Sequence, residues 1–257
     1  MPVLAPVTWD SDGWPHVQLN DNQWAVSYPL PLGPGSLHPL AKHTGTYSFN
    51  TAALSPEWEW NHNPDNSKWS AGKGLTLQTA TVTDDLYSAR NTLTHRILGP
   101  ASSATIVMDV SKMKDGDRAG LVMLRDSSAY VAVVRDGDKL NIVMRDNLTM
   151  GRGWTTTSTG EDVVTVPLTR KKIWLRATAD IRPSADRDAT FAYSTDGKTF
   201  TPIGPPFTLN NRWQFFMGYR YGIFNYATKG LGGEVKIASF TVATVPLPAG
   251  APASASN

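Results

Sequence analysis

The chain has 257 residues, 40% of them hydrophobic, with 24 basic against 22 acidic side chains. That length is ample for one large domain or two small ones, and a near-balanced charge with no basic stripe gives no support to nucleic-acid binding. The absence of cysteine excludes disulfides, thiolate metal sites and cysteine nucleophiles, and no apolar run is long enough to span a membrane as a helix.

The first residues lack a charged start followed by an apolar stretch, so no secretory leader is visible and a cytoplasmic product is expected. Residues 1–32 read as short strands and turns, with "APVTWDSDGWPHVQL" as strand, Asp/Gly turn and strand. The Pro/Gly density of "PLPLGPGSLHPLA", Pro29–Ala41, forbids regular structure, and residues 33–46 read as a strap. Residues 47–245 carry many strand-like runs, among them "GLTLQTA", "NTLTHRIL", "SATIVMDV", "AGLVMLR", "AYVAVVR", "KLNIVMR" and "IWLRATADI". Gly/Asp turns such as "KDGD", "RDGDK" and "STDGK" separate them, and no convincing helix occurs. The pattern predicts an all-β jelly roll, a sandwich of two antiparallel sheets. Residues 246–257 are a low-complexity tail.

Period 2 assigns faces. In "KLNIVMR", Leu140, Ile142 and Met144 are expected inside, with Asn141, Val143 and Arg145 outside. In "IWLRATAD", Leu175, Ala177 and Ala179 point in, with Trp174, Arg176 and Thr178 out. In "GLVMLRD", Val122 and Leu124 point in if Arg125 points out. This reading gathers Arg125, Arg145, Trp174 and Arg176 on an outer sheet face. Such a face is either simply solvated or a ligand groove, because guanidinium planes and exposed rings suit sugar hydroxyls and carboxylates.

Two stretches are dense in functional groups. "EWEWNHNPDNSKW" holds His62, Asn63, Asp65 and Trp69. Its plain reading is a structured turn stiffened by Asn, Asp and Pro. Its sharper reading is a polar finger presenting His62 and Asp65 as an acid–base pair, with Asn63 and Trp69 as ligand contacts. "FFMGYRYGIFNY" alternates Tyr219 and Tyr221 with Gly218 and Arg220, which reads either as core or as an exposed row for stacking sugar rings. His95 shares a strand face with Leu93 and Ile97, either bonded within the sheet or touching a ligand. No HExxH, GxSxG, phosphate loop or dinucleotide fingerprint is present, the histidines lack metal-ligand spacing, and no catalytic carboxylate pair stands out. No metal ligand and no cofactor is assigned.

At "WEWNHNPDNSKWS", "LYSARNTLTHRILGP", "MKDGDRAGL" and "GYRYGIFNYATKGLGG" the chain resembles the C-terminal concanavalin A-like β-sandwich of glycoside hydrolase family 43, the β-xylosidases and α-arabinofuranosidases. The likeness runs in collinear order from Tyr47 to Thr244. The opening stretch resembles the last strands of that family's propeller, which holds its three catalytic carboxylates. The resemblance therefore implies the sandwich without the usual glycosidase machinery, and it makes the loop Asn61–Asp65 the expected pocket-facing element. It also implies a structural calcium bound partly by Asp residues in the first and last strands. Here "YSFNTAAL" and "GEVKIASF" supply Asn50, Lys236 and Ala238 and no Asp, which puts that calcium in doubt. Three roles follow as expectations: a module binding a carbohydrate or glycoside-like ligand; a repurposed enzyme of isomerase, cyclase or lyase type acting on a small metabolite; and an assembly subunit forming a homo-oligomer.

Overall fold

The structure, a computed structural model, describes residues 4–29, 42–182, 186–213 and 217–246; most of the expected strap and the tail beyond Pro246 lie outside them. The chain divides into two compact units, residues 1–41 and 42–257.

In the first unit, β1 (Val7–Trp9) and β2 (Pro15–Val17) form an antiparallel hairpin in which Val7 faces Val17 and Trp9 faces Pro15. Asp10 closes the turn. Its Oδ1 accepts from the Asp12 and Trp14 amides, and its Oδ2 meets His16 Nε2 at 2.9 Å. The His16 contact holds the Asp10 carboxyl below the usual carboxylate range.

The second unit is the predicted sandwich. Its strands are β3 (Gly45–Tyr47), β4 (Trp58–Trp60), β5 (Trp69–Ser70), β6 (Leu75–Gln78), β7 (Leu93–Arg96), β8 (Ala101–Lys112), β9 (Asp117–Leu124) and β10 (Ser127–Asp136). They continue with β11 (Lys139–Met150), β12 (Thr156–Pro167), β13 (Lys172–Asp180), β14 (Asp188–Ser194), β15 (Thr201–Pro202), β16 (Phe207–Thr208), β17 (Arg220–Ala227) and β18 (Glu234–Thr244). One sheet has seven strands in the order β12-β11-β10-β9-β17-β7-β4. The other runs β15-β14-β13-β8-β18-β6-β5, with β16 on β14 and β3 on β18. All ladders between these strands are antiparallel.

The main core lies between the sheets, where Leu121, Met123, Val131, Ile142 and Tyr221 meet Ile106, Met108, Leu175, Ile237 and Phe240. An aromatic seam crosses it. Trp58 packs on Phe240, Phe49 and Tyr47 with centroids 4.9, 5.1 and 5.4 Å away. His95 sits inside this seam, 4% exposed. Its Nδ1 lies 2.8 Å from the Arg96 carbonyl oxygen, so that nitrogen carries the proton, and its Nε2 accepts from the Tyr47 hydroxyl. Burial pushes its pKa down and favours the neutral ring.

The seven-stranded sheet is apolar on its other face as well. Val122, Leu124, Tyr130, Ala132, Val134, Val143, Phe224 and Tyr226 form a second cluster, closed by Leu86, Tyr87 and Ala89. The expectation that Val122 and Leu124 face the main core is therefore corrected: residues 121 and 123 take that side, and the even positions pack against the segment 80–91. Val143, expected outside, is buried in the same cluster. The covering segment is pinned to β17 by Thr83 N–H to the Ala227 carbonyl (2.8 Å) and by Ala227 N–H to the Thr81 carbonyl (3.1 Å). Tyr87 reaches through the cluster, its hydroxyl 3.0 Å from both Ser128 Oγ and the Leu148 carbonyl. Asp85 caps the short 3-10 turn Leu86–Ser88 and accepts from Tyr87 N–H, Ser88 Oγ and Thr156 Oγ1. We predict that Asp85→Ala lowers unfolding free energy by about 1–3 kcal/mol in urea denaturation, since three donors lose their acceptor.

Asp117 begins β9 fully buried. Its Oδ2 accepts from the Lys114 amide at 2.7 Å, and a Cβ at Gly233 would stand 1.5 Å from it, so only glycine fits there. Burial raises the Asp117 pKa to about 6. A native carboxyl that holds its proton more tightly than the unfolded chain, near 3.9, loses stability as pH rises from about 4 through 6. Asp117→Asn is thus expected to raise the melting temperature more at pH 8 than at pH 5. Measuring the variant–parent difference cancels the opposite contribution of His95.

Candidate functional site

The structure distributes the sequence-predicted site residues over four places. Trp174 and Arg176 do lie on an outer face, that of the nine-stranded sheet, but their polar and ring surfaces are engaged. The Arg176 guanidinium stands 3.5 Å over the Phe200 ring and donates from Nε to Thr105 Oγ1. Lys172 Nζ lies 4.8 Å from the Trp174 ring, and Gly197 backs onto that ring so closely that a Cβ would sit 2.7 Å away. Arg145 is on the outer face of the other sheet, locked by Nε to Asp162 Oδ1 at 2.6 Å.

His95, Arg125, Tyr219 and Tyr221 are interior residues. The expected exposed tyrosine row does not exist. Tyr221 shares parity with Ile223 and donates across the sandwich to the Ser102 carbonyl at 2.8 Å. The Tyr219 hydroxyl accepts from Asn210 N–H, and burial pushes both phenols up to about 12. Arg125 turns inward rather than out. Asp126 Oδ1 lies 3.2 Å from its Nη1, and it also bonds Asn210 Oδ1 and the Arg212 carbonyl, which anchors the chain before β17.

The fourth place is the loop between β4 and β5, and it borders an open cleft. His62 Nε2 lies 2.6 Å from the Tyr87 carbonyl oxygen and donates to it, leaving Nδ1 without a proton in the neutral ring. Asn63 contributes its carbonyl, which accepts from Arg90 Nε at 2.9 Å. Asp65 closes a turn: Ser67 N–H and Oγ both donate to its Oδ1, and the Ser67 bonds hold its carboxyl below the usual range. Asn91 clamps the Asp65 backbone at both its amide and its carbonyl. Trp69 packs on Trp60 at 5.1 Å and donates to Asn66 Oδ1. The plain reading of Asp65 and Trp69 is thus the one their contacts support. His62 stays at the cleft, and among the described residues its orienting partner is the Tyr87 carbonyl and not a carboxylate.

The cleft has two limbs. One, about 700 Å³, is lined by His62, Thr81, Asp85, Arg90, Trp154 and Thr156. The other, about 850 Å³, is lined by Asp126, Arg152, Trp154, Arg212 and Trp213. Met150 and Trp154 belong to both. Trp154 lies in the loop from β11 to β12, where Trp154 N–H bonds the Gly151 carbonyl and Gly151 N–H bonds that of Thr155. Its φ of 59° is left-handed, a conformation that costs a bulky residue roughly 1–2 kcal/mol relative to glycine. The ring is nevertheless half exposed. An apolar platform ringed by hydroxyls and a guanidinium suits the face and edge of a sugar ring. Arg90, Arg152, Trp154, Arg212 and Trp213 escaped the sequence reading. The signal was present as Arg-Gly-Trp and Arg-Trp, each inside a turn-like stretch.

The residues do not fit the calcium that the resemblance implies. Asn50 is exposed; in the last strand the Lys236 side chain packs at Gly74, and the acid of that strand, Glu234, accepts from Lys112 Nζ and Gln78 Nε2. Among the described residues no three His, Asp or Glu side chains cluster as a metal site.

Residues 46–243 match the family described as the β-xylosidase C-terminal concanavalin A-like domain. A β-xylosidase of Formosa agariphila is 27% identical over 266 residues, covering 93% of this chain and 42% of its own length. A putative β-xylosidase of Xylanibacter ruminicola is 24% identical and is matched over 38% of its length. Among solved structures, a glycoside hydrolase of family 43, engineered to show endo-xylanase and exo-arabinofuranosidase activity, superposes with a TM-score of 0.88 at 44% identity. That match covers 94% of this chain and 48% of the other. A xylan β-1,4-xylosidase from Bacillus halodurans shares the fold at TM-score 0.68 and 17% identity. The chain thus spans less than half the length of these relatives, and with its sandwich matched almost end to end it belongs to the family of C-terminal concanavalin A-like domains of β-xylosidases.

Proposed function

We propose that this β-sandwich binds a carbohydrate, with a xylan- or arabinan-like chain as the ligand class, in the cleft centred on Trp154. The single observation that carries the reading is the half-exposed Trp154 ring held at a backbone position suited to glycine. Selection for stability alone favours glycine there. The pentose class is taken from the relatives, which are β-xylosidases and an α-L-arabinofuranosidase.

The reading is binding rather than glycoside cleavage. Both mechanisms of that reaction need two free carboxyl groups flanking the bond. In the limb beside His62 the carboxylate is Asp85, and its oxygens are occupied by Tyr87, Ser88 and Thr156. A second reading, acid–base catalysis on a small metabolite, is favoured by His62 alone, whose ring borders the cleft with its orientation fixed by the Tyr87 carbonyl.

Calorimetric titration with xylo- and arabino-oligosaccharides tests the proposal. Saturable binding is expected, and Trp154→Gly should weaken it about tenfold or more, a loss of roughly 1.4 kcal/mol. Glycine adopts a left-handed φ without strain, so a cooperative melting curve for the same variant identifies the lost affinity as a loss of the ring and not of the fold. Unchanged affinity in Trp154→Gly would move the site elsewhere. Turnover of an offered metabolite that collapses in His62→Ala would favour the second reading.

A further inference from the structure

We infer that the limb of the cleft between Trp154 and Trp213 recognises a sugar that bears a carboxylate, a uronic acid residue on the glycan. The inference rests on the carbohydrate-binding reading above and adds the chemical class of one subsite.

Two arginines without a carboxylate partner among the described residues come together in this limb. Seven arginines have a carboxylate partner within 4 Å: Arg96, Arg118, Arg125, Arg135, Arg145, Arg182 and Arg220. Arg152 and Arg212 line one limb, both are exposed, and among the described residues neither guanidinium meets a carboxylate. The acid that shares the limb, Asp126, does not offset them. Its side chain is 13% exposed, with Arg125 Nη1 3.2 Å from Oδ1 and Asn210 Nδ2 donating to the same oxygen at 3.1 Å. The limb therefore presents two uncompensated positive charges.

Those charges stand beside two large rings. Trp154 is 50% and Trp213 76% exposed. An indole gives a pyranose ring an apolar face to lie on, while a guanidinium fork matches a carboxylate through two parallel N–H bonds. A neutral sugar would use the rings and leave both guanidinium groups without a charged partner. A bare anion would use the arginines and leave the rings exposed. A uronate satisfies both. Backbone bonds fix one edge of the limb: Arg212 N–H donates to Asn210 Oδ1, and the Arg212 carbonyl accepts from the buried Arg125.

The test titrates the intact chain with a neutral xylo-oligosaccharide, the same oligosaccharide bearing one glucuronate, and free glucuronate, each at about 20 mM and about 0.5 M NaCl. The acidic oligosaccharide is expected to bind about tenfold tighter than the neutral one at low salt, with the preference fading at high salt. The double variant Arg152→Ala/Arg212→Ala should erase the preference, bringing the acidic and the neutral oligosaccharide to one affinity at both salt concentrations. Equal affinity for the two oligosaccharides overturns the uronate assignment while the carbohydrate reading stands. Free glucuronate binding as tightly as the acidic oligosaccharide also overturns it, leaving a plain anion site. A preference that survives the double variant places the charge recognition outside this limb. Silence toward all three removes the assignment together with the reading beneath it.

Discussion

The segment 80–91 lying on the outer face of the seven-stranded sheet is the constraint from which the rest of the molecule follows. That face is built from Val122, Tyr130, Val134, Val143, Phe224 and Tyr226, and it is too apolar to stand in water. The sequence resolves this with its own Leu86, Tyr87 and Ala89, held down by two backbone bonds to Ala227 and by the cap at Asp85. Strands β9, β10 and β17 become buried on both sides. A broad sheet face is then unavailable to a ligand, and open space is left at the rim, beside the turn that Asp85 caps. His62 and Arg90 face the cleft because they contact the covering segment or belong to it.

A rim site has a physical consequence. Beside the covering segment, its walls are the stretch after β4, the connection from β11 to β12 with the strand ends Met150 and Thr156, and the stretch before β17. Their side chains change without disturbing the inter-sheet packing, whereas Trp58, His95 and Phe240 are interlocked across both sheets. Arg152, Trp154 and Trp213 are thereby separated from the inter-sheet core, whereas Asp85 and Tyr87 line the cleft and hold the fold as well. A left-handed tryptophan is tolerable at Trp154 because the two backbone bonds around Gly151 determine the turn independently of the ring.

Legibility in the sequence followed the number of buried faces. For β13, one face looks to the core and one outward, so alternation placed Leu175, Ala177 and Ala179 inside with Trp174 and Arg176 outside. The same rule reversed β9. "GLVML" is apolar at every position because both faces are covered, and its phase was read from the following Arg125 as though a charge must face water. Arg125 is instead buried with Asp126 and Asn210 as its partners, information that lies a residue away in one case and 85 in the other. Tyr221 misled similarly, since its partner Ser102 is distant in sequence and only the fold brings the hydroxyls together. The loop Asn61–Asp65 was found because Asn, Pro and Asp announce rigidity locally, although its polar side chains chiefly hold the loop itself.

The cleft was harder to see, for a reason specific to its chemistry. A motif search looks for groups that react, such as histidines, carboxylates and nucleophiles. The cleft of this chain is made chiefly of groups that bind: indole rings, hydroxyls and guanidinium forks, drawn from stretches up to 151 residues apart between His62 and Trp213. The informative pattern is negative. A tryptophan where a turn favours glycine, and two exposed arginines without carboxylates beside exposed rings in one cleft, are departures from what folding alone prefers. Departures of that kind are where a fold shared with many relatives carries what is particular to one chain.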